Sequence, residues 1–99
     1  MIVVTSTFRA KSGKRGEVAG LARPCVEETR KEKGCVRYEL FLSSEDEVTL
    51  QFIEEWTDLD SLRAHLKSPC LAKFKEAREG LVEEGRVLKI FEARETSLS

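Results

Sequence analysis

The sequence contains no asparagine, a single glutamine and no methionine after Met1, whereas 35% of its 99 residues are charged. Amide and thioether side chains are sensitive to heat, and heat-adapted proteins carry fewer of them and more charged residues in ion-pair networks. The composition therefore favours a thermophilic source. An unfolding midpoint in the mesophile range of about 45 to 65 °C would contradict this interpretation.

Long hydrophobic segments are also missing. The apolar run near the start covers residues 2–4 and is not preceded by a cluster of positive charge. Such a run is shorter than the apolar core of a signal peptide and far shorter than a membrane span. We therefore expect a cytoplasmic protein with no membrane partner.

Cysteines are few, and Cys25, Cys35 and Cys70 form neither a C-x-x-C motif nor the Cys/His spacing of a zinc site. An odd number without such motifs predicts neither a disulfide framework nor a metal site. Reduced thiols are expected, with Cys25 and Cys35 as small core residues.

Charges of the two signs nearly balance, giving a net charge of −1, and the basic residues are scattered from Arg9 to Arg94. Without a basic stripe to follow phosphates, nucleic acid is not expected as a partner. A chain of this length supports one hydrophobic core. We predict one domain over residues 1–95 and a frayed tail at residues 96–99.

Four segments have the β-branched or alternating pattern of strands, namely residues 2–10, 35–42, 48–56 and 86–94. The second segment places Val36 and Tyr38 on one face. The third places Phe52, Glu54 and Trp56 together. Because Glu54 interrupts an apolar face, it is either buried with a partner such as Arg37 or His65, or exposed by a local bulge.

A long helical segment over residues 14–33 follows the first strand. Its apolar positions recur at spacings of three and four residues, which is typical of a helix with one buried face. Pro24 lies inside the pattern and should kink the helix or split it in two. Gly34 should end it as a C′ residue.

Two more helix starts follow the third strand. Thr57 or Asp58 can cap a short helix whose apolar stripe is residues 59, 62 and 66. Ser68 as N-cap and Pro69 at the first helical position then open another helix that extends to Gly85.

The order of elements is β-α-β-β-α-β, which predicts a ferredoxin-like α+β fold with a four-stranded antiparallel sheet and helices on one face. The last strand is apolar on both sides, with Leu88 and Ile90 opposite Val87 and Phe91. A monomer would leave the free face of the sheet in water. We therefore expect a homodimer that forms through the sheet face.

Two stretches carry a family resemblance: GCVRYELF after the long helix, and QFIEEWTDLDSLRAHLKSP before the last one. They resemble the antibiotic biosynthesis monooxygenase family, including its small stand-alone quinol monooxygenases, over residues 2 to about 94. The E-x-W motif at residues 54–56 and the A-H-L-x-S-P motif at residues 64–69 are its most specific parts. The resemblance implies a dimeric α+β barrel. It also implies a range of activities, among them cofactor-independent oxygenation of phenols and quinols, haem degradation and isomerisation of a signalling sugar.

The chain departs from that family in two places. Members often have S-P-H where this chain has Ser68, Pro69 and Cys70, so a second histidine is missing. Members of the haem-degrading branch have a different set of site residues, with an asparagine on the first strand and a tryptophan where this chain has His65. Haem cleavage is therefore disfavoured.

His65 is the candidate catalytic residue. It is predicted on the flank of the apolar stripe of the short helix, where an imidazole with a pKa near 6.5 could take a phenolic proton at neutral pH. The alternative is a structural histidine that caps a carbonyl or pairs with a carboxylate.

The candidate substrate-binding residues come from three elements. Trp56 is predicted to form an aromatic wall, with a core or dimer-interface position as its alternative. Cys70 follows a helix N-cap, where the helix dipole favours a thiolate, but no base or second cysteine is near it in the sequence. The full set is Ser6, Phe8, Phe52, Trp56, Cys70 and Phe74.

These features predict a homodimeric monooxygenase that needs no cofactor or metal and acts on a small aromatic or quinol molecule, with His65 as base. The alternative is a non-catalytic homodimer that binds a small ligand or is purely structural. A cavity of roughly 300 Å³ or more would favour ligand binding, and a filled cleft would exclude it. An isomerase or lyase acting on a sugar-like molecule would need more polar groups in the cleft than the sequence offers.

Overall fold

A computed structural model describes all 99 residues. Seven elements follow one another along the chain. The four strands form one sheet in the order β2-β3-β1-β4, and every pair of neighbouring strands is antiparallel. The predicted ferredoxin-like α+β fold is confirmed, with two short helices between the third and fourth strands. The elements are β1 Ile2–Arg9, α1 Arg15–Thr29, β2 Cys35–Leu42, β3 Thr49–Trp56, α2 Leu59–Leu66, α3 Pro69–Ala77 and β4 Val87–Glu92.

The two central strands, β1 and β3, form the base of the core. Alternate residues point to opposite faces of a sheet, and the register pairs Val4 with Glu54 and Ser6 with Phe52 on the face that the helices cover. All four of these side chains are buried. Phe52, Glu54 and Trp56 therefore share one face of β3, as predicted, and this face is buried under the helices.

Pro24 was predicted either to kink helix α1 or to split it in two. The helix runs without a break from Arg15 to Thr29, so the split does not occur. It is also shorter than predicted at its C-terminal end. Its apolar stripe is buried, as Val18, Ala22 and Cys25 illustrate. Because the proline ring lies on the exposed face, it does not disturb that stripe.

Helix α3 begins as predicted, with the Ser68 hydroxyl accepting a hydrogen bond from the Leu71 N–H and Pro69 in the first turn. It ends at Ala77, so the predicted extension to Gly85 is wrong. Gly80 adopts a left-handed φ of 82°, which turns the chain out of the helix.

Strand β2 contains a bulge between Cys35 and Arg37. The extra residue changes the alternation, so that Tyr38 is buried whereas Val36 is exposed. The prediction that these two side chains share a face is therefore wrong.

Strand β4 is one of the two edges of the sheet, opposite β2. Its four large apolar side chains, on both faces, keep between 39% and 51% of their surface in solvent. They are Val87, Leu88, Ile90 and Phe91. None of the helices is both long enough and apolar enough to cross a bilayer.

Candidate functional site

The orientation of α2 decides what His65 can do. The side chains that α2 buries are Ser61, Leu62 and His65, whereas Leu59 and Leu66 are exposed. The predicted stripe of residues 59, 62 and 66 is therefore wrong. His65 does not lie on the flank of the helix but faces the interior, with 2% of its surface exposed.

Gly34 explains this orientation. It has a left-handed φ of 82°, and a Cβ at this position would collide with the Ser61 side chain. Its carbonyl accepts a hydrogen bond from the Thr57 N–H at 2.9 Å, and the Asp58 side chain caps α2. Because only glycine permits this close approach, the loop after α1 turns α2 so that Ser61 meets the loop and His65 meets the core.

The same loop supplies a partner for the imidazole. Glu32 Oε1 lies 2.9 Å from His65 Nδ1. A carboxylate at this distance accepts the Nδ1 proton, so the neutral ring carries its lone pair on Nε2. Burial lowers the pKa of His65, and the hydrogen bond to Glu32 offsets part of that effect. At neutral pH the ring is therefore a neutral base.

Two aromatic rings hold the imidazole in place. The Trp56 ring centroid lies 4.9 Å from that of His65, and the Tyr38 ring meets it edge-on at 5.1 Å. Trp56 is fully buried. It therefore packs behind the imidazole in the core and does not form the predicted wall of an open pocket. Burial raises the pKa of the Tyr38 hydroxyl.

Glu54 is buried on the same face of β3, with 5% of its surface exposed. Its Oε1 accepts a hydrogen bond from Trp56 Nε1 at 3.0 Å. Neither of the predicted partners is present, since Arg37 binds Glu39 and Glu55 and His65 binds Glu32. Burial raises the pKa of Glu54 to about 7, although the Trp56 hydrogen bond and the charge of Arg86 act in the opposite direction.

A narrow cavity of about 30 Å³ lies between the sheet and helices α2 and α3. It has room for about two water molecules. Its buried polar lining comes from Ser6, Tyr38, Glu54 and His65. Every side-chain oxygen or nitrogen atom that is fully buried has a hydrogen-bond partner. The unpaired Ser6 Oγ, Tyr38 Oη and His65 Nε2 therefore reach this cavity, which we call the imidazole cavity.

Three basic side chains, Lys75, Arg78 and Arg86, surround the mouth of the imidazole cavity, and we call them the cationic rim. None of them forms a salt bridge. The Arg78 guanidinium stacks over the rings of Phe8 and Phe74 at 5.0 and 5.1 Å. Burial and the neighbouring guanidinium of Arg86 lower the pKa of both Lys75 and Arg78. Unbalanced positive charge at this mouth would attract an anion.

The structure brings together only part of the predicted site. His65, Ser6, Phe52 and Phe74 line the imidazole cavity. Phe8 is stacked on Phe52 with ring centroids 5.9 Å apart and lies outside the cavity lining. The other two predicted residues also lie elsewhere, Trp56 in the core and Cys70 in a separate groove between α1 and α3.

Several side chains at the site were missed by sequence reasoning. Glu32 is 33 positions from His65, and no local pattern connects them. Tyr38 was predicted only to share a strand face with Val36. Lys75 and Arg78, one helical turn apart and flanking the stripe of Phe74, carried a signal that helical periodicity could have found. No three His, Cys, Asp or Glu side chains are grouped as ligands for a metal ion.

Comparison with known proteins gives consistent matches. Residues 1–80 match the sequence model of the antibiotic biosynthesis monooxygenase family. The uncharacterised Synechocystis protein sll1783 is 27% identical over 95 residues, and this match spans 96% of the chain but only 65% of that relative. The Bacillus subtilis protein "Putative monooxygenase YcnE" is 31% identical, with 89% of the chain and 85% of the relative covered.

Solved structures match as well. A crystal structure described as an antibiotic biosynthesis monooxygenase superposes with a TM-score of 0.87 at 26% identity, covering 96% of this chain and 100% of that one. The similarity therefore extends to the strands and helices that surround the imidazole cavity.

Proposed function

Because the chain belongs to the antibiotic biosynthesis monooxygenase family, we propose that it is a monooxygenase acting on a small aromatic or quinol molecule without a cofactor, with His65 as the base. One observation carries the proposal. A buried imidazole has its Nδ1 bound to Glu32 at 2.9 Å and its Nε2 unpaired at a polar cavity.

His65 Nε2 removes the proton from a phenolic hydroxyl in the first step. A base must be neutral at working pH, and the burial that lowers the pKa of His65 keeps it neutral. Glu32 is a positioning residue: it fixes the tautomer and stabilises the imidazolium that forms when the proton arrives. The nearby Trp56 and Tyr38 rings keep the imidazole from rotating.

The deprotonated substrate then supplies the electrons for dioxygen. One oxygen atom forms a bond to a ring carbon, and the other leaves as water. For a simple hydroquinone the products are a hydroxyquinone and one water, so the substrate provides all four electrons. The protein contributes a base, orientation and exclusion of water from the reacting atoms.

The cationic rim suits the anion that this reaction forms. Lys75, Arg78 and Arg86 have no carboxylate partner. A phenolate held beneath them would be stabilised by their charge in a partly dry environment. Glu54, with a pKa of about 7, can be protonated at neutral pH and then adds little opposing charge.

Substrate binding requires the mouth of the imidazole cavity to widen. Its volume of about 30 Å³ is far below the roughly 300 Å³ of the smallest typical ligand pockets, so the cavity as it stands does not reach the size that favours ligand binding. Its outer wall consists of the rim side chains and of three large, exposed apolar side chains, Leu66, Leu88 and Ile90. Rotation of these side chains would admit a ring without moving the buried groups.

A homodimer formed through the sheet face is part of the proposal. The outer face exposes Phe41 next to the ion pairs of Arg37 with Glu39 and Glu55, and it exposes Val87 and Phe91 at the opposite edge of the sheet, on β4. A second copy could cover the apolar side chains and repeat these charges across a two-fold axis. Sedimentation at micromolar concentration should give twice the mass of the chain, and a single-chain mass would contradict this part of the proposal.

Oxygen consumption tests the main proposal. Wild-type protein should consume dioxygen with at least one member of a panel of dihydroxybenzenes and dihydroxynaphthalenes. His65→Ala should lower kcat by about 10² to 10⁴, the usual effect of losing a general base. Glu28→Gln is the matched control, because Glu28 is exposed and pairs only with Lys31. Full turnover by His65→Ala would remove the assigned role.

The second candidate is a non-catalytic homodimer of the same fold. The specific observation in its favour is the small volume of the imidazole cavity, about 30 Å³. If this candidate is correct, no member of the panel will change the unfolding midpoint or the tryptophan fluorescence at millimolar concentration. A saturable shift in wild type without any consumption of dioxygen would indicate binding without catalysis.

A further inference from the structure

Two cysteines that are far apart in the sequence meet in the fold. Cys25 on α1 and Cys70 on α3 are separated by 45 positions, yet their Sγ atoms lie 3.3 Å apart. The Thr29 hydroxyl is 3.7 Å from each sulfur. Both thiols are free. Cys70 therefore has the second cysteine that was absent from its sequence neighbourhood.

The two sulfurs differ in access. They lie at the floor of an open groove of about 670 Å³ between α1 and α3. Cys25 is buried, whereas Cys70 is partly exposed. Burial, followed by the hydrogen bond with Cys70, raises the pKa of the Cys25 thiol to about 12. A reagent in the groove would thus meet Cys70 first and find Cys25 immediately behind it.

We propose that Cys25 and Cys70 form a redox pair that small disulfides in solution, such as oxidised glutathione, convert into an intramolecular disulfide between α1 and α3. The sulfurs need to approach by about 1.3 Å to reach the bonding distance of about 2.05 Å.

The chemistry proceeds in two exchanges. The Cys70 thiolate attacks one sulfur of glutathione disulfide, forms a mixed disulfide and releases a glutathione thiolate. That thiolate takes up the proton that Cys70 gave up. Cys25 then attacks Cys70 Sγ, and its proton passes to the second glutathione as that group leaves. Two protein thiols are oxidised by two electrons, and one small disulfide is reduced to two thiols.

The Glu32 carboxylate lies between the cysteine pair and the imidazole of His65. Glu32 Oε2 is 3.9 Å from Cys70 Sγ, and Oε1 of the same carboxylate holds His65. Oxidation removes the Cys70 S–H that faces Glu32. The redox proposal nevertheless rests only on the two sulfurs and their groove, so it does not depend on the monooxygenase proposal.

Intact mass and thiol counting test the inference. Fully reduced protein of complete length is incubated with excess oxidised glutathione and then alkylated. Wild type should lose two hydrogens, keep one alkylatable thiol of its three, and give a Cys25–Cys70 peptide after digestion. The bond should also raise the unfolding midpoint by about 5 to 15 °C, and dithiothreitol should reverse the change.

Variants identify the order of the steps. Cys25→Ser and Cys25→Ala should stop at a glutathione adduct on Cys70, because the second thiol is missing. Cys35→Ser is the matched control and should oxidise like wild type. The inference is overturned if wild type keeps three thiols, if it stops at a glutathione adduct, or if the bond that forms joins Cys35 or two chains.

Discussion

The imidazole cavity and the groove between α1 and α3 differ in size by more than twentyfold, about 30 against 670 Å³. The smaller space holds four buried polar side chains, whereas the larger one is open and has two thiols at its floor. Glu32 lies between them, with one oxygen on each side. The candidate reactive groups are therefore not identified by cavity volume. They are identified by their burial and by atoms that lack a hydrogen-bond partner.

The pH dependence of the free energy of unfolding should distinguish the imidazole cavity from the groove most strongly. Glu54 has a pKa of about 7 against an ordinary value of 4.5, so the native state holds its proton more tightly than the unfolded chain. Its contribution to stability is complete below pH 4.5 and is lost as pH rises through 7. Glu54→Gln mimics the protonated form. It should therefore gain about 3 kcal/mol relative to wild type between pH 4.5 and 7.5.

Urea unfolding at several pH values measures this difference. His65 acts in the opposite sense, because its lowered pKa makes stability fall as pH drops below 6.5. That term is common to both proteins and cancels in the comparison. Glu55→Gln, on the outer face of the same strand, is the control. A pH-independent difference between Glu54→Gln and wild type would mean that Glu54 is not protonated in the cavity.

Removing the shared carboxylate should affect catalysis next most strongly. Glu32→Gln keeps an oxygen that can accept the Nδ1 proton but loses the charge that stabilises imidazolium. We expect kcat to fall about 10- to 100-fold with little change in KM. The apparent pKa in kcat/KM should also fall, because Glu32 is what raises the pKa of His65. An unchanged pH profile in Glu32→Gln, or an equal loss in Glu28→Gln, would contradict this role.

Gly34→Ala tests how the cavity is built. An alanine would be forced into a left-handed conformation and would meet the Ser61 side chain. We expect a loss of about 2 kcal/mol in the free energy of unfolding. Gly20→Ala is the matched control, since it has open space around it inside α1 and should be neutral or stabilising. Equal stability of the two variants would show that Gly34 does not set the position of α2.

Features that depend on neighbouring residues could be predicted from the sequence, whereas contacts between distant residues could not. Alternation on β3 predicted the face shared by Phe52, Glu54 and Trp56, because side chains on a strand repeat every two residues. The cap at Ser68 was also predictable, since its hydroxyl bonds a nitrogen three residues away. Both features depend on neighbours in the chain.

The site itself depends on distant contacts. A helix with apolar residues at 59, 62 and 66 could turn either way, and the Gly34 contact with Ser61 chose the orientation that buries His65. The pairing of His65 with Glu32 spans 33 positions, and that of Cys70 with Cys25 spans 45. No periodicity within one element carries information about a contact made by another, which is why both partners were missed.

The cationic rim should give the smallest effect and the most specific one. Arg86 lies at the mouth of the imidazole cavity, has no salt bridge and lowers the pKa of Glu54. Arg86→Gln should lower kcat about three- to tenfold for a phenolic substrate with little change in KM, because the anion that the rim stabilises forms only after His65 has taken the proton. High salt should reduce the difference. Arg63→Gln, which loses only an exposed pair with Asp60, should behave like wild type. If both arginine variants lower kcat equally, general surface charge and not the rim stabilises the anion.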